Sequence, residues 1–462
     1  MPHPLLASAA ESSRPVWLVT EGTWPGIASG LPQAAQAFAR AQGFDGRAGS
    51  HCLLPDQDGH LLGVAFGLHG EDARHDDPFL VGKLPTLLPE GVYRFETEAP
   101  NPALAALAWL LGSYAFTRYR KRPEKAVRLV TPSGVDGEEV SRIAEAVARS
   151  RDLVNTPTSD LGPDGIEAAA REIAERHGAN FTSIVGEDLL RQNFPMIHAV
   201  GRASAVAPRL IDFTWGDEGA PRVTLVGKGV AFDTGGLDIK PSSSMLLMRK
   251  DMGGAAAALA LADMIMGAGL RLRLRVLVPA VENSIAGNAF RPGDILPSRK
   301  GISVEIGNTD AEGRLILADA LALADEESPD LVVDFATLTG AARVALGPEL
   351  PPFYTDDDEL AAEIARHGMV VNDPVWRLPL WMPYQSQLDS KFADMNNTGG
   401  PMAGSITAAL FLRRFVGAAR AHVHFDIFAW NSSTRPARPE GGEVQAARLM
   451  YSLLKERYGS QG

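Results

Sequence analysis

The chain has 462 residues, enough for two or three domains with separate cores, and its 45% apolar and 22% charged residues are the balance of an ordinary globular protein. A formal net charge of −12 at pH 7, with no compensating basic block, argues against a broad nucleic-acid-binding face. Cys52 is the one cysteine, so no intrachain disulfide can form, the first residues lack a secretory pattern, and apolar runs such as 255–262 are far too short to span a membrane; a cytoplasmic protein is expected.

In chain order, short apolar runs at 16–19 and 61–66 read as strands, and the alanine-rich stretch 102–111 reads as a helix. Their alternation predicts a small α/β domain over residues 1–140. The basic segment 118–125, with Tyr119 and Pro123, reads as a connector. A long helix is expected from Glu138, with Ile143, Ala146, Val147 and Leu153 on its apolar side. It should stop at Asn155-Thr156-Pro157, because a residue before proline avoids helical dihedrals.

Over residues 141–462 the alternation is plainer. Strands are predicted at 223–226, 274–278 and 331–335, and helices at 255–267 and 315–324. Apolar strands separated by helices imply an α/β domain whose mainly parallel central sheet is flanked by helices. In such folds ligands bind at the carboxyl ends of the strands.

The charged residues concentrate at those ends. Lys228 follows the first of these strands between two glycines, then come Asp233, Lys240 and Asp251, the last at the mouth of an alanine-rich helix. Taken singly, Asp251 could be a helix cap and Lys240 a surface charge. The segment Asn308-Thr309-Asp310-Ala311-Glu312-Gly313-Arg314-Leu315 places two acids and a guanidinium ahead of an apolar run. An extended backbone would point Asp310, Glu312 and Arg314 to one face, a costly arrangement unless a cation binds there. Neither a Gly-x-Ser-x-Gly elbow nor a His-Glu-x-x-His helix occurs, so serine-hydrolase and single-zinc chemistry are disfavoured. A dinuclear phosphoesterase would use the same kind of carboxylates and stays open at this point.

Val226-Gly227-Lys228-Gly229, Phe232-Asp233-Thr234-Gly235-Gly236, Lys240, Asp251-Met252-Gly253-Gly254, residues 308–315 and Asp334-Phe335-Ala336-Thr337-Leu338-Thr339-Gly340 together resemble the leucyl aminopeptidase (cytosol aminopeptidase) family of dinuclear metallopeptidases. The resemblance covers most of residues 150–430. It implies a two-metal aminopeptidase that removes apolar N-terminal residues such as leucine from peptides with a free amino end. Lys228, Asp233, Asp251 and Glu312 would share one divalent metal, and Asp233, Asp310 and Glu312 the other, with zinc or manganese favoured over magnesium or cobalt. A lysine ligates only as the neutral amine. Lys240 resembles the lysine that stabilises the oxyanion, and Arg314 the arginine that holds a bicarbonate ion as general base. Met248, Asn308, Thr337, Leu338 and Gly340 resemble substrate-binding positions, with Met248, Thr337 and Gly340 placed by the likeness around the substrate's first side chain, and the likeness implies a homohexamer.

Some segments depart from this pattern or add nothing to it. His424-Phe425-Asp426-Ile427-Phe428-Ala429-Trp430 is bulkier than the family's His-Leu-Asp-Ile-Ala-Gly, and it borders the substrate pocket in relatives, so side-chain preference is open there. His422 and His424 read as structural histidines, and the segment 390–397 resembles another family segment to which no catalytic role is assigned.

Overall fold

The computed structural model describes residues 3–70, 76–121 and 125–459. The chain forms two compact units, Met1–Ala148 with Ser432–Glu440, and Arg149–Asn431 with Gly441–Gly462.

The first unit is built on a six-stranded sheet, in the order Leu6–Ala7, Val127–Val130, Gly91–Phe95, Arg14–Val19, Leu61–Gly67 and His51–Pro55. All pairs are parallel except the last. The two strands expected here are neighbours, with Val16 opposite Val64. The helix Pro102–Gly112 starts where the Asn101 side chain accepts the Leu104 N–H at 3.0 Å, with proline in its first turn. Ala105 through Leu111 are all buried, as a helix apolar on every side requires. In the basic connector Tyr119 is exposed, and Pro123 lies outside the described residues. The long predicted helix runs Gly137–Asn155 and ends two residues before Pro157.

In the second unit four parallel strands form the centre of a nine-stranded sheet, in the order His422–Asp426, Leu331–Ala336, Arg222–Gly227 and Arg273–Asn283. Antiparallel strands continue the sheet on either side. Central strands are buried on both faces, which explains why they read as continuous apolar runs. The helix Gly253–Gly267 is buried from Gly253 through Met266, and its start presses on the sheet. A Cβ on Gly254 would sit 2.1 Å from the Phe335 carbonyl oxygen, so only glycine allows that approach.

The extended reading of residues 310–314 is corrected. Glu312 opens the helix Glu312–Asp325, and Asp310 lies in the preceding turn, where the Asn308 side chain accepts the Asp310 N–H at 2.7 Å. An acid in a first helical turn faces the positive end of the helix dipole, so the alternating charges suit a turn entering a helix.

The two histidines clamp a buried acid. Asp334 is opposite His424 across the parallel pair and meets His424 Nδ1 at 2.5 Å and His422 Nε2 at 2.7 Å. Burial would raise the Asp334 pKa, but both imidazoles outweigh it and hold the carboxyl below its usual range. Burial would lower the His424 pKa, and Asp334 outweighs that and holds it above its usual value. The acid's contribution to stability is therefore lost as pH falls through its depressed pKa. That of His424 is lost as pH rises through its elevated one. Asp334→Asn is expected to cost about 3–5 kcal/mol, the worth of breaking a buried pair, and most of all between the ordinary carboxylate and imidazole pKa values of about 4 and 6.5. Thermal unfolding of both proteins across pH checks this; a penalty independent of pH would contradict it.

Candidate metal centre and active-site cavity

Lys228 is the first residue beyond the strand Arg222–Gly227 and is 3% exposed. Its ammonium donates to the Thr337 carbonyl at 2.9 Å and lies 2.8 Å from Asp251 Oδ2 and 3.1 Å from Glu312 Oε1. Strand end, helix start and motif helix thus converge on one nitrogen. Gly313 makes room for it: a Cβ there would stand 2.4 Å from Lys228 Cε. Thr337, just past the strand Leu331–Ala336, donates its hydroxyl to Asp251 Oδ1 at 2.7 Å and so fixes that carboxylate.

Asp233 ends the strand Gly229–Asp233, and its Oδ1 accepts from the Gly235 N–H at 2.9 Å and from Asn283 Nδ2 at 2.8 Å. Its Oδ2 faces Lys240 Nζ at 2.8 Å, and the same ammonium touches Asp310 Oδ1. Thr309 ties the loop carrying Lys240 to the motif, donating its hydroxyl to the Gly235 carbonyl at 2.6 Å and its N–H to Asp238 Oδ2 at 2.8 Å.

The field in this cluster is unusual. Burial drives the Glu312 and Asp310 carboxyls well above the usual carboxylate range, and Asp233 pushes both the same way. For Lys228 burial works against the charge, but Asp251, Glu312 and Asp233 outweigh it and hold the ammonium above the usual lysine range. Lys240 is likewise held above that range, by Asp233 first, against burial.

These residues fit divalent cations. One oxygen from each of Asp233, Asp310 and Glu312 lies within 4.8 Å of the others, and Glu312 Oε2 is buried with no hydrogen-bond partner among the described residues. Oxygen-rich sets of this kind suit hard or borderline metals. A cation among the carboxylates would cancel their pull on Lys228, leaving burial to favour the neutral amine that ligation requires.

Arg314 is 7% exposed and donates from Nη1 to the Asn397 carbonyl at 2.6 Å. It forms no ion pair with Asp310 or Glu312, and its Nε is buried without a hydrogen-bond partner among the described residues. Burial pulls its pKa down to about 10, although Glu312 and Asp426 resist. A buried guanidinium with a spare donor is a seat for a small anion.

A cavity of about 610 Å³ opens onto this cluster. It is lined by Lys228, Asp233, Lys240, Asp251, Asp310 and Arg314, and all five candidate substrate-binding residues, Met248, Asn308, Thr337, Leu338 and Gly340, border it too. Glu312 sits in the acid cluster, 1% exposed. The cavity is also lined by Lys250, Arg343 and Phe428. Burial pulls the Lys250 pKa down to about 8; Asp251 opposes this, and Arg343 and the two other lysines add to it.

Two polar residues escaped the reading of the sequence. Asn283, wholly buried at the end of the strand Arg273–Asn283, orients Asp233 and also donates to the Thr309 carbonyl at 3.1 Å. Asn397 accepts the Gly307 N–H at 2.8 Å and donates to the Asn308 carbonyl at 2.8 Å, so it shapes the turn that presents Asp310, and its own carbonyl holds Arg314. The available signal for Asn397 was its place in the segment 390–397; Asn283 sits on a strand whose pattern is otherwise apolar.

The catalytic-domain model of the cytosol aminopeptidase family matches residues 148–451, and that of the M17 aminopeptidase N-terminal domain matches residues 15–132. Over 364 residues, 75% of this chain and 73% of the relative, the sequence is 41% identical to a probable cytosol aminopeptidase of Syntrophotalea carbinolica. The fold superposes on the cytosol aminopeptidase from Coxiella burnetii with a TM-score of 0.94 and 43% identity, covering 99% of this chain and 100% of that one. The bottromycin maturation enzyme BotP in complex with Mn gives 0.86 and 34%, covering 96% and 100%. A leucyl aminopeptidase from Trypanosoma brucei in complex with bestatin gives 0.84 and 25%, covering 98% and 92%. Family matches that span both units, together with the site's geometry, lead to one conclusion: the chain belongs to the cytosol aminopeptidase family and is a metalloaminopeptidase.

Proposed function

We propose that Lys228, Asp233, Asp251 and Glu312 hold one divalent cation and Asp233, Asp310 and Glu312 a second, and that the enzyme releases single residues from the free amino end of peptides. The observation that carries this is the convergence of Asp233, Asp310 and Glu312 beside two lysines at the strand ends, where Asp233, Asp310 and both lysines line one cavity. Manganese or zinc suits the set best, with magnesium or cobalt as alternatives, and a relative's structure contains Mn. When bound, two such ions supply Lewis acidity, which provides nucleophilic water at neutral pH and a seat for the substrate's amino group.

The remaining roles belong to side chains of this chain. Lys240 sets a positive charge where the scissile carbonyl oxygen gains negative charge, the kind of stabilisation that is largest in a buried site. Arg314 would hold a bicarbonate ion, which supplies a general base; the buried, unpartnered Nε supports that use. Asn283 and Asn397 keep Asp233 and the turn at Asp310 in place. Met248, Leu338 and Phe428 give the cavity apolar wall that suits leucine and similar residues. Assembly as a homohexamer in the cytoplasm rests on family likeness alone, and the N-terminal domain over residues 1–140 is proposed to serve that assembly.

Protein stripped by chelator and reloaded with Mn²⁺ or Zn²⁺ is expected to cleave leucyl-p-nitroanilide and to ignore both N-acetyl-leucyl-p-nitroanilide and p-nitrophenyl phosphate. Equal cleavage of the acetylated substrate would overturn the exopeptidase assignment. Cleavage of the phosphate ester alone would move the site to the phosphoesterases.

A further inference from the structure

The cavity wall carries two cations that the chemistry above does not use. Lys250 is 2% exposed, yet its ammonium makes no hydrogen bond or ion pair among the described residues. It rests on the ring of Phe428, 4.7 Å from the centroid. Arg343 rests on the same ring, its Cζ 4.8 Å from the centroid, and it too forms no ion pair. Both line the cavity that holds the acid cluster. A buried cation such as Lys250 is ordinarily paired with a carboxylate, and a ring face offers only a weak substitute, while Arg343 is exposed at the cavity and adds its charge over the same ring. Two cations over one ring in the same cavity are the chemistry that binds an anionic group.

The position of the pair favours the first side chain over the far end of the peptide. Arg343 Nη2 would lie 3.6 Å from a Cβ placed on Gly340, and Lys250 is two residues from Met248. Gly340 and Met248 are the residues that family likeness sets around the first side chain. We propose that Lys250 and Arg343 recognise a carboxylate on the substrate's N-terminal side chain, so that acidic residues, glutamate above all, are removed at least as well as leucine. The methylenes of glutamate would lie along Met248 and Phe428 while its carboxylate meets the two cations. This inference rests on the aminopeptidase reading and specifies its substrate class.

The test uses the Mn²⁺-loaded full-length enzyme with α-glutamyl-p-nitroanilide, leucyl-p-nitroanilide, leucyl-leucine and leucyl-leucine amide. The expected result is a kcat/KM for the glutamyl substrate equal to or above that for the leucyl one. Arg343→Gln and Lys250→Met should each lower the glutamyl-to-leucyl ratio about tenfold to a hundredfold, mainly through KM, which is the worth of a charge-assisted hydrogen bond. Arg343 is exposed, so its variant should fold even if the buried lysine's does not. Cleavage of the leucyl substrate with little of the glutamyl one would overturn the inference and leave the aminopeptidase reading intact. A strong preference for leucyl-leucine over its amide, without a glutamyl preference, would assign the cations to a peptide's C-terminal carboxylate and overturn it as well. Cleavage of none of the four would overturn both.

Discussion

Glu312→Gln is expected to lower kcat/KM on leucyl-p-nitroanilide by more than about a hundredfold, since even groups that only support a metal ligand are worth 10–100-fold. Glu312, with Asp233, is shared by both proposed metals, and its Oε1 is 3.1 Å from Lys228 Nζ. Glutamine keeps the shape and one oxygen but removes the charge that offsets a divalent cation. Metal content measured after dialysis should fall with the rate. In chelator the sign reverses. The Glu312 pKa is raised by burial first, then by Asp233 and Asp251, so its contribution to stability is full below the ordinary glutamate pKa and is lost as pH rises through the elevated one. The metal-free variant should therefore unfold at a higher temperature than metal-free wild type at alkaline pH, with the gap closing toward acid. A variant less stable than wild type at every pH would indicate a structural role instead.

Lys240→Met is expected to reduce kcat by about 10²–10³, the cost of removing one preorganised charge from an oxyanion site, with KM little changed. Lys240 contacts Asp233 and Asp310, so its removal leaves those carboxylates less compensated and should not weaken metal binding. Turnover and metal content measured on the same sample separate the two roles. A loss that appears mainly in KM, or that tracks lost metal, would contradict an oxyanion role.

Much of the frame was legible because the central strands are buried on both faces and show as apolar runs, and because the helix Gly253–Gly267 is too rich in alanine to be anything else. The acid cluster was legible through its spacing, but its geometry was not. Charges at alternate positions suggest a strand, and the Asn308 side chain, by accepting the Asp310 N–H, starts a turn that a two-residue period cannot reveal. Asn283 and Asn397 work through contacts 26 to 90 residues distant in sequence, which leave no local trace. The surroundings of Lys250 were equally hidden: its neighbour Asp251 is turned toward Lys228 and Thr337, and the Phe428 ring beside it is 178 residues away in sequence.

The central claim is a two-metal centre, and a titration reads it directly. Chelator-stripped protein would be titrated with Mn²⁺, with bound metal per chain and leucyl-p-nitroanilide turnover measured at each step. With two metals at the site, turnover reaches its plateau only when two ions are bound per chain. A plateau at one ion per chain, or full turnover before any metal is added, would contradict it.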